Sequence, residues 1–229
     1  MTPSGPALVA ERLDSRQRWL SFAEFVVGGS IVILHNVYHR LPNEVPILFV
    51  LGWISIRLRN SGWKAVGLAR PSSWWKTILW AVAIGLLVIV AGQLATMLGQ
   101  KFWHTVAKGS SVLRRTKTGW KAALSSLGIV WTFAAFGEEM GYRGYLLNRA
   151  ADVGNRSKLA WAAALVASSV LFGYGHYYKG PPGILQSTVS GLILGGAYLF
   201  SRRNLWIPIL AHGCADTIVI AALFFGWAD

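Results

Sequence analysis

A chain of 229 residues that is 54% hydrophobic and only 14% charged does not read as a soluble domain, in which roughly a quarter of residues carry charge. Its net charge of +13 would suggest nucleic acid in a soluble protein, but here Lys and Arg sit in short segments between long apolar runs. There they meet anionic lipid headgroups, and no basic helix stands apart from the membrane segments, so nucleic acid is not an expected partner.

The apolar runs predict an all-α, polytopic membrane helix bundle. Seven helices are expected, at approximately 19–38, 45–58, 75–98, 120–148, 158–177, 183–201 and 205–226, because about 20 apolar residues cross a bilayer core. Residues 1–18 read as a polar tail and 19–228 as one membrane domain, with a motif-bearing core at 119–220. The first run is followed by His39-Arg40-Leu41-Pro42 with no small-residue cleavage site, so it is expected to be a retained helix rather than a signal peptide. It carries Glu24 and His35, eleven apart and near one face. Both lie near a helix end and are expected to snorkel. The second run is short, and suits a tilted or partly re-entrant helix. The fourth is longer than a span needs. Trp19, Trp74, Trp75, Trp103, Trp206 and Trp227 fall near run ends, as an interfacial aromatic belt requires.

Lys and Arg bias sets the orientation. With the N-terminus inside, the inner connections hold Arg57, Arg59, Lys64, Arg70 and Lys76, then Arg149, Arg156 and Lys158, then Arg202 and Arg203. One segment disagrees. Residues 101–121 carry Lys101, Lys108, Arg114, Arg115, Lys117 and Lys121 and would face out. Either this segment lies along the interface, or it hides an eighth crossing, or the orientation is reversed; an interfacial segment is the expectation.

A charged group in the bilayer core costs about 2.5–3.5 kcal/mol on insertion scales, so it usually has a function. The fourth run contains Gly137-Glu138-Glu139-Met140-Gly141-Tyr142-Arg143. Glu139 and Arg143 are four apart and share a helical face, whereas Glu138 points about 100° away. One carboxylate is thus expected to be ion-paired and the other to face a cavity. The fifth run ends Phe172-Gly173-Tyr174-Gly175-His176, with Phe172 and His176 on one face. The seventh holds His212 and Asp216, again four apart, with the lone cysteine, Cys214, on the opposite side as packing. One cysteine allows no intrachain disulfide. Gly137/Gly141 and Gly191/Gly195 fit close helix packing.

Taken singly, these patterns also suit plain structure: a helix-end ion pair, an interfacial histidine, a hydrogen-bonded pair that joins helices. Taken together, Glu138, Glu139, Arg143, His176, His212 and Asp216 supply a carboxylate base, two imidazoles and further polar groups. That set can activate a water and stabilise an oxyanion during amide hydrolysis. It is also an acceptable catalytic zinc shell, through Glu138, His176, His212 and Asp216. No His-Glu-x-x-His is present, so a zincin reading fails. The residues alone leave both routes open, with zinc as the possible cofactor.

The three motifs, Glu138-Glu139 with Arg143, Phe172 with His176, and His212 with Asp216, resemble those of the CPBP family of CAAX-protease and bacteriocin-processing (ABI) membrane proteins. Tyr142-Arg143-Gly144-Tyr145-Leu146 and Gly67-Leu68-Ala69-Arg70-Pro71 add to the likeness, which covers about residues 60–220. The resemblance implies an intramembrane endopeptidase acting near the membrane end of a membrane protein or peptide. It implies that Glu138 and His176 hold and activate the water, that His212 and Asp216 stabilise the oxyanion, and that Glu139 and Arg143 support them. The likeness to related sites built on water activation by glutamate and histidine favours the metal-free route. The prenyl-protein branch commonly has Asn where this chain has Asp216, while bacterial members admit either. Two rivals keep other uses for the same residues. A non-catalytic immunity or scaffold protein would be expected to have lost a motif residue. An ion-coupled transporter would be expected to show an inverted repeat. Neither mark is seen in the sequence. The expected place is the cell membrane; substrate identity and oligomeric state are not legible.

Overall fold

The structure, a computed structural model, describes residues 13–109, 116 and 119–227. Among them there is no β-strand. Among the described residues seven helical units follow one another: α1 (Ser15–Asn36), α2 (Glu44–Leu58), α3 (Trp74–Trp103), α4 (120–153), α5 (Lys158–Tyr174), α6 (Gly180–Phe200) and α7 (Trp206–Phe224). Short 3₁₀ turns at Trp63–Val66 and Tyr177–Lys179 precede α3 and α6.

The helices begin where the sequence offers caps. Asp14 and Gln17 form a reciprocal capping box, so α1 starts in the polar turn before its apolar run, earlier than hydropathy alone suggested. Asn43 accepts from the Val45 N–H to start α2, and Ser157 accepts from the Ala160 N–H to start α5. α3 runs 30 residues, further than expected at its C-terminal end, because hydropathy fades at Gln100 and Lys101 before the helix does.

α4 is wound in pieces: α-helical over Trp120–Ile129, π-helical over Val130–Glu138 and Met140–Leu147, and α-helical again over Asn148–Val153. π-turns are rare and cluster at functional sites. The expected end near residue 148 is instead a joint. Asn148 is fully buried, and its Nδ2 donates to the carbonyls of Arg143 and Gly144 at 2.8 and 3.2 Å and to the Tyr198 hydroxyl at 2.9 Å. A residue type that often stops a helix here serves carbonyls that the wider winding frees.

Glycines let the helices close. A Cβ on Gly137 or Gly141 would meet Val45 or Leu48 of α2 at 2.6 or 3.1 Å, and one on Gly191 or Gly195 would meet Ser169 or Leu165 of α5 at 3.1 or 2.5 Å. Both small-residue pairs are therefore packing faces, as their spacing suggested.

The outside of the bundle is apolar: Trp75, Leu79, Trp80 and Leu94 of α3 stand exposed, as lipid-facing side chains do. Among the described residues, four helices are long and apolar enough to cross a membrane: Ser15–Asn36, Trp74–Trp103, Tyr177–Phe200 and Trp206–Phe224. The chain is an all-helical integral membrane protein.

Two ends can be told apart. At one, Leu13 N–H donates to Asn155 Oδ1, Arg18 Nε to the Val153 carbonyl, and Leu205 N–H to the Gly67 carbonyl. Trp74 lies edge-on to Trp206 there. The three basic connections read as inner thus gather at one end. At the other, Lys108 N–H donates to the Lys179 carbonyl at 3.0 Å. The part of the 101–121 segment up to Gly109 therefore lies at the end opposite the other basic connections. Arg114, Arg115 and Lys117 are outside the described residues.

Candidate active site

The π-wound middle of α4 brings Glu138 and Glu139 to different surroundings. Glu139 is fully buried. Its Oε1 accepts from Arg143 Nη1 at 2.8 Å and from His212 Nδ1 at 2.9 Å. Arg143, 2% exposed, also donates through Nη2 to the Gly191 carbonyl at 3.2 Å and lies over the Phe172 ring at 4.5 Å. The expected Glu139–Arg143 pair thus exists, but it forms the centre of a network joining α4, α5, α6 and α7. Further hydrogen bonds offset part of the cost of burying such a pair: Arg143 finds Gly191 of α6 and Glu139 Oε1 finds His212 of α7, while Glu139 Oε2 is left without a partner.

Glu138 has no such partner: its buried Oε2 makes no hydrogen bond. It lines a cavity of about 370 Å³ together with Phe172, His176, His212 and Asp216. All four residues expected to act on a substrate therefore face one space. Lys179, Asn43, Gln93, Gln186, Ser187 and Ser190 line it as well. Sequence reading did not single these out, because a lone Gln, Ser or Lys near a helix end carries no spacing signal.

Local hydrogen bonds fix the two imidazoles. His176 Nδ1 lies 3.0 Å from the Phe172 carbonyl. A carbonyl only accepts, so Nδ1 carries the hydrogen, and the Nε2 of the neutral ring is an acceptor. This is the role of Phe172 four residues earlier: its backbone sets the tautomer, and its ring packs against His176 at 4.9 Å and edge-on to His212 at 6.1 Å. His212 is held through Nδ1 by Glu139, and its Nε2 lies 3.7 Å from Asp216 Oδ2. The adjoining Gly213 seats the Trp131 ring, which an added Cβ would meet at 2.5 Å, and Trp131 Nε1 donates to Thr217 Oγ1 at 3.1 Å. α4 and α7 are thereby locked beside His212. Cys214 lies outside this arrangement, beside Gly85 of α3.

Glu24 and His35 do not snorkel and do not line the cavity. Glu24 accepts from Arg59 Nη1 at 2.8 Å and from Ser55 Oγ at 2.6 Å. His35 Nε2 lies 3.2 Å from Glu44 Oε2. Tertiary partners on α2 and at its C-cap take up both groups before solvent can. Glu44, unremarked in the sequence, is buried near the site: a Cβ on Gly175 would meet Tyr142 Oη at 2.6 Å and Glu44 Oε1 at 3.6 Å.

Among the described residues, no group of three or more His, Cys, Asp or Glu side chains is placed to hold a metal ion. The His212 nitrogen nearer α4 is already committed to Glu139. As arranged, the four candidate ligands do not form a zinc shell. A larger groove of about 680 Å³ between α3 and α6, lined by Trp80, Ile84, Leu87 and Leu192, contains none of the motif residues.

Residues 120–218 match a family model described as Type II CAAX prenyl endopeptidase Rce1-like. No curated protein and no solved structure matches the chain. The matched segment contains both glutamates, Arg143, Phe172, both cavity histidines and Asp216. Over this segment the chain is similar to the Rce1-like type II CAAX prenyl endopeptidases, in keeping with the CPBP likeness of its motifs.

Proposed function

We propose that the protein is an endopeptidase that hydrolyses a peptide bond of a membrane-associated protein or peptide by means of a water held in the α4–α7 cavity. The observation that carries this reading is the contrast between two adjacent carboxylates: Glu139 is tied through Oε1 to Arg143 and His212 and does not line the cavity, while Glu138 lines it and carries an unbonded oxygen. A water there can donate to Glu138 and to His176 Nε2, two acceptors. Glu138 takes the proton as the water oxygen attacks the scissile carbonyl. The carbonyl oxygen becomes an oxyanion, and His212 donates to it through Nε2 as imidazolium. Asp216 and Glu139 flank that ring and balance its charge. This division leaves Asp216 no need to donate. On collapse of the tetrahedral intermediate the leaving amine takes the proton from Glu138.

The chain is read as a multi-pass protein of the cell membrane with seven crossings, N-terminus inside. Supporting this are the grouping of the inner basic connections at one end and the Lys108–Lys179 contact at the other. A prenylated protein is one candidate substrate class, drawn from the family description; Asp216 leaves non-prenylated membrane peptides equally in view. Comparative membrane peptidomics of cells carrying wild type or Glu138→Gln tests the activity. Fragments specific to wild type are expected, and identical fragment sets would end the proposal. Cysteines placed at Thr105 and Lys158 in a Cys214→Ser background should label from opposite sides of the membrane.

A further inference from the structure

At the end of the bundle away from the catalytic cavity lies a second polar cavity, of about 400 Å³. It is lined by Arg59, which caps the C-terminus of α2, by Arg149 of α4 and Arg156 just beyond it, and by Ser21, Ser61 and Asn155. Its ion pairs are incomplete in one sense only. Glu24 pairs with Arg59. Asp152, 1% exposed, pairs with both Arg149 and Arg156 and also accepts from Ser21 Oγ. Arg59 Nη2 donates to Ser21 Oγ at 3.0 Å, which closes the network. Three guanidinium groups thus face two carboxylates, and the two carboxylates are already occupied.

The surplus is localised. Arg149 is 6% exposed, yet its Nη1 is buried with no hydrogen-bond partner. A buried unpaired N–H on a charged group is among the more costly features a protein can carry. The cavity that Arg149 lines gives room for the missing acceptor. It must be an acceptor and it should carry about one negative charge. Planar guanidinium forks favour tetrahedral or planar oxyanions.

We propose that this cavity binds a phosphate group, with Arg149 Nη1 as the central donor and Arg156, whose side chain is 37% exposed, as the donor at the mouth. The group belongs either to the headgroup of an anionic phospholipid of the same leaflet or to a free phosphate. Ser61 and Asn155 line the cavity beside them and offer further hydrogen bonds. The site shares no residue with the catalytic cavity, so it stands or falls independently of the protease reading.

The test uses the full chain in neutral detergent. Its melting temperature is followed during titration with dioctanoyl phosphatidylglycerol, with dioctanoylglycerol, which lacks phosphate, and with sodium phosphate. A saturable rise with phosphatidylglycerol but not dioctanoylglycerol is expected, since ligand that binds only the folded state stabilises it by mass action. If sodium phosphate alone gives the same rise, the source is a free anion; if it is inert, the source is the lipid headgroup. Arg149→Gln should weaken the apparent affinity at least tenfold, and Arg156→Gln several-fold. Should Arg149→Gln fail to fold, Arg156→Gln, at the exposed mouth, decides. The proposal is overturned if neither phosphate-bearing probe shifts the melting temperature, which would mean that water alone fills the cavity. It is equally overturned if dioctanoylglycerol matches phosphatidylglycerol, or if Arg156→Gln binds like wild type.

Discussion

The two polar clusters of this bundle are built alike and left unfinished in opposite ways. At the catalytic end, Glu139 Oε1 ties Arg143 and His212 together, and the unmet atom of the residue that lines the cavity is an acceptor, Glu138 Oε2. At the basic end, Glu24, Arg59, Ser21 and Asp152 saturate one another, and the atom left over is a donor, Arg149 Nη1. An orphan acceptor beside a cavity suits a water that must lose a proton. An orphan donor beside a cavity suits an anion. The sign of the unmet hydrogen bond thus separates chemistry from binding where residue composition does not.

The largest effect should come from the orphan acceptor. Glu138→Gln keeps the shape and removes the base, so cleavage of a substrate identified by peptidomics should fall by about 10²–10⁴-fold. Its melting temperature in detergent should stay near wild type, because no hydrogen bond of Oε2 is lost. A variant that still cleaves at near wild-type rate would make the contrast between the glutamates meaningless.

Next is the ion-paired core of the same end. Arg143→Ala leaves Glu139 buried without its cation, a change that typically costs about 3–5 kcal/mol. Both the melting temperature and the activity should drop. Unchanged melting would mean that the Glu139–Arg143–His212 network does not hold the helices together.

Asp216→Asn should be milder. If Asp216 only flanks His212, an amide in its place should leave cleavage within about tenfold of wild type, a small part of what losing a transition-state donor costs. Stripping the purified protein with a strong chelator and assaying it belongs with this variant. Activity lost on chelation, restored by zinc, and weakened in Asp216→Asn would replace the metal-free route with a metal-bound one.

The smallest effect lies at the basic end. Ser21→Ala removes one hydroxyl between Arg59 and Asp152, and should lower stability by about 1 kcal/mol with no change in cleavage rate. A large loss of activity would show that the two ends are coupled, and would blur the division drawn between them.

The motif residues were legible because helical spacing is a local property. Glu139 with Arg143, Phe172 with His176 and His212 with Asp216 are each four apart, and an i, i+4 pair shares a face whatever packs on it. The π winding of α4 was not legible. It depends on tertiary partners such as Tyr198 and Asn148 meeting across 50 residues. The fates of Glu24 and His35 were misread for the same reason: their partners, Arg59 and Glu44, sit on a different helix.

By itself, then, the sequence determined that this is an α-helical membrane protein with a few ionisable groups in its apolar runs, since hydropathy and i, i+4 geometry need only neighbours along the chain. Which carboxylate is paired and which faces the cavity, which nitrogen of His176 carries the hydrogen, and where a guanidinium is left without an acceptor were decided only by the tertiary structure. A buried polar group takes its partner from whichever helix is packed against it, and that helix is distant in sequence.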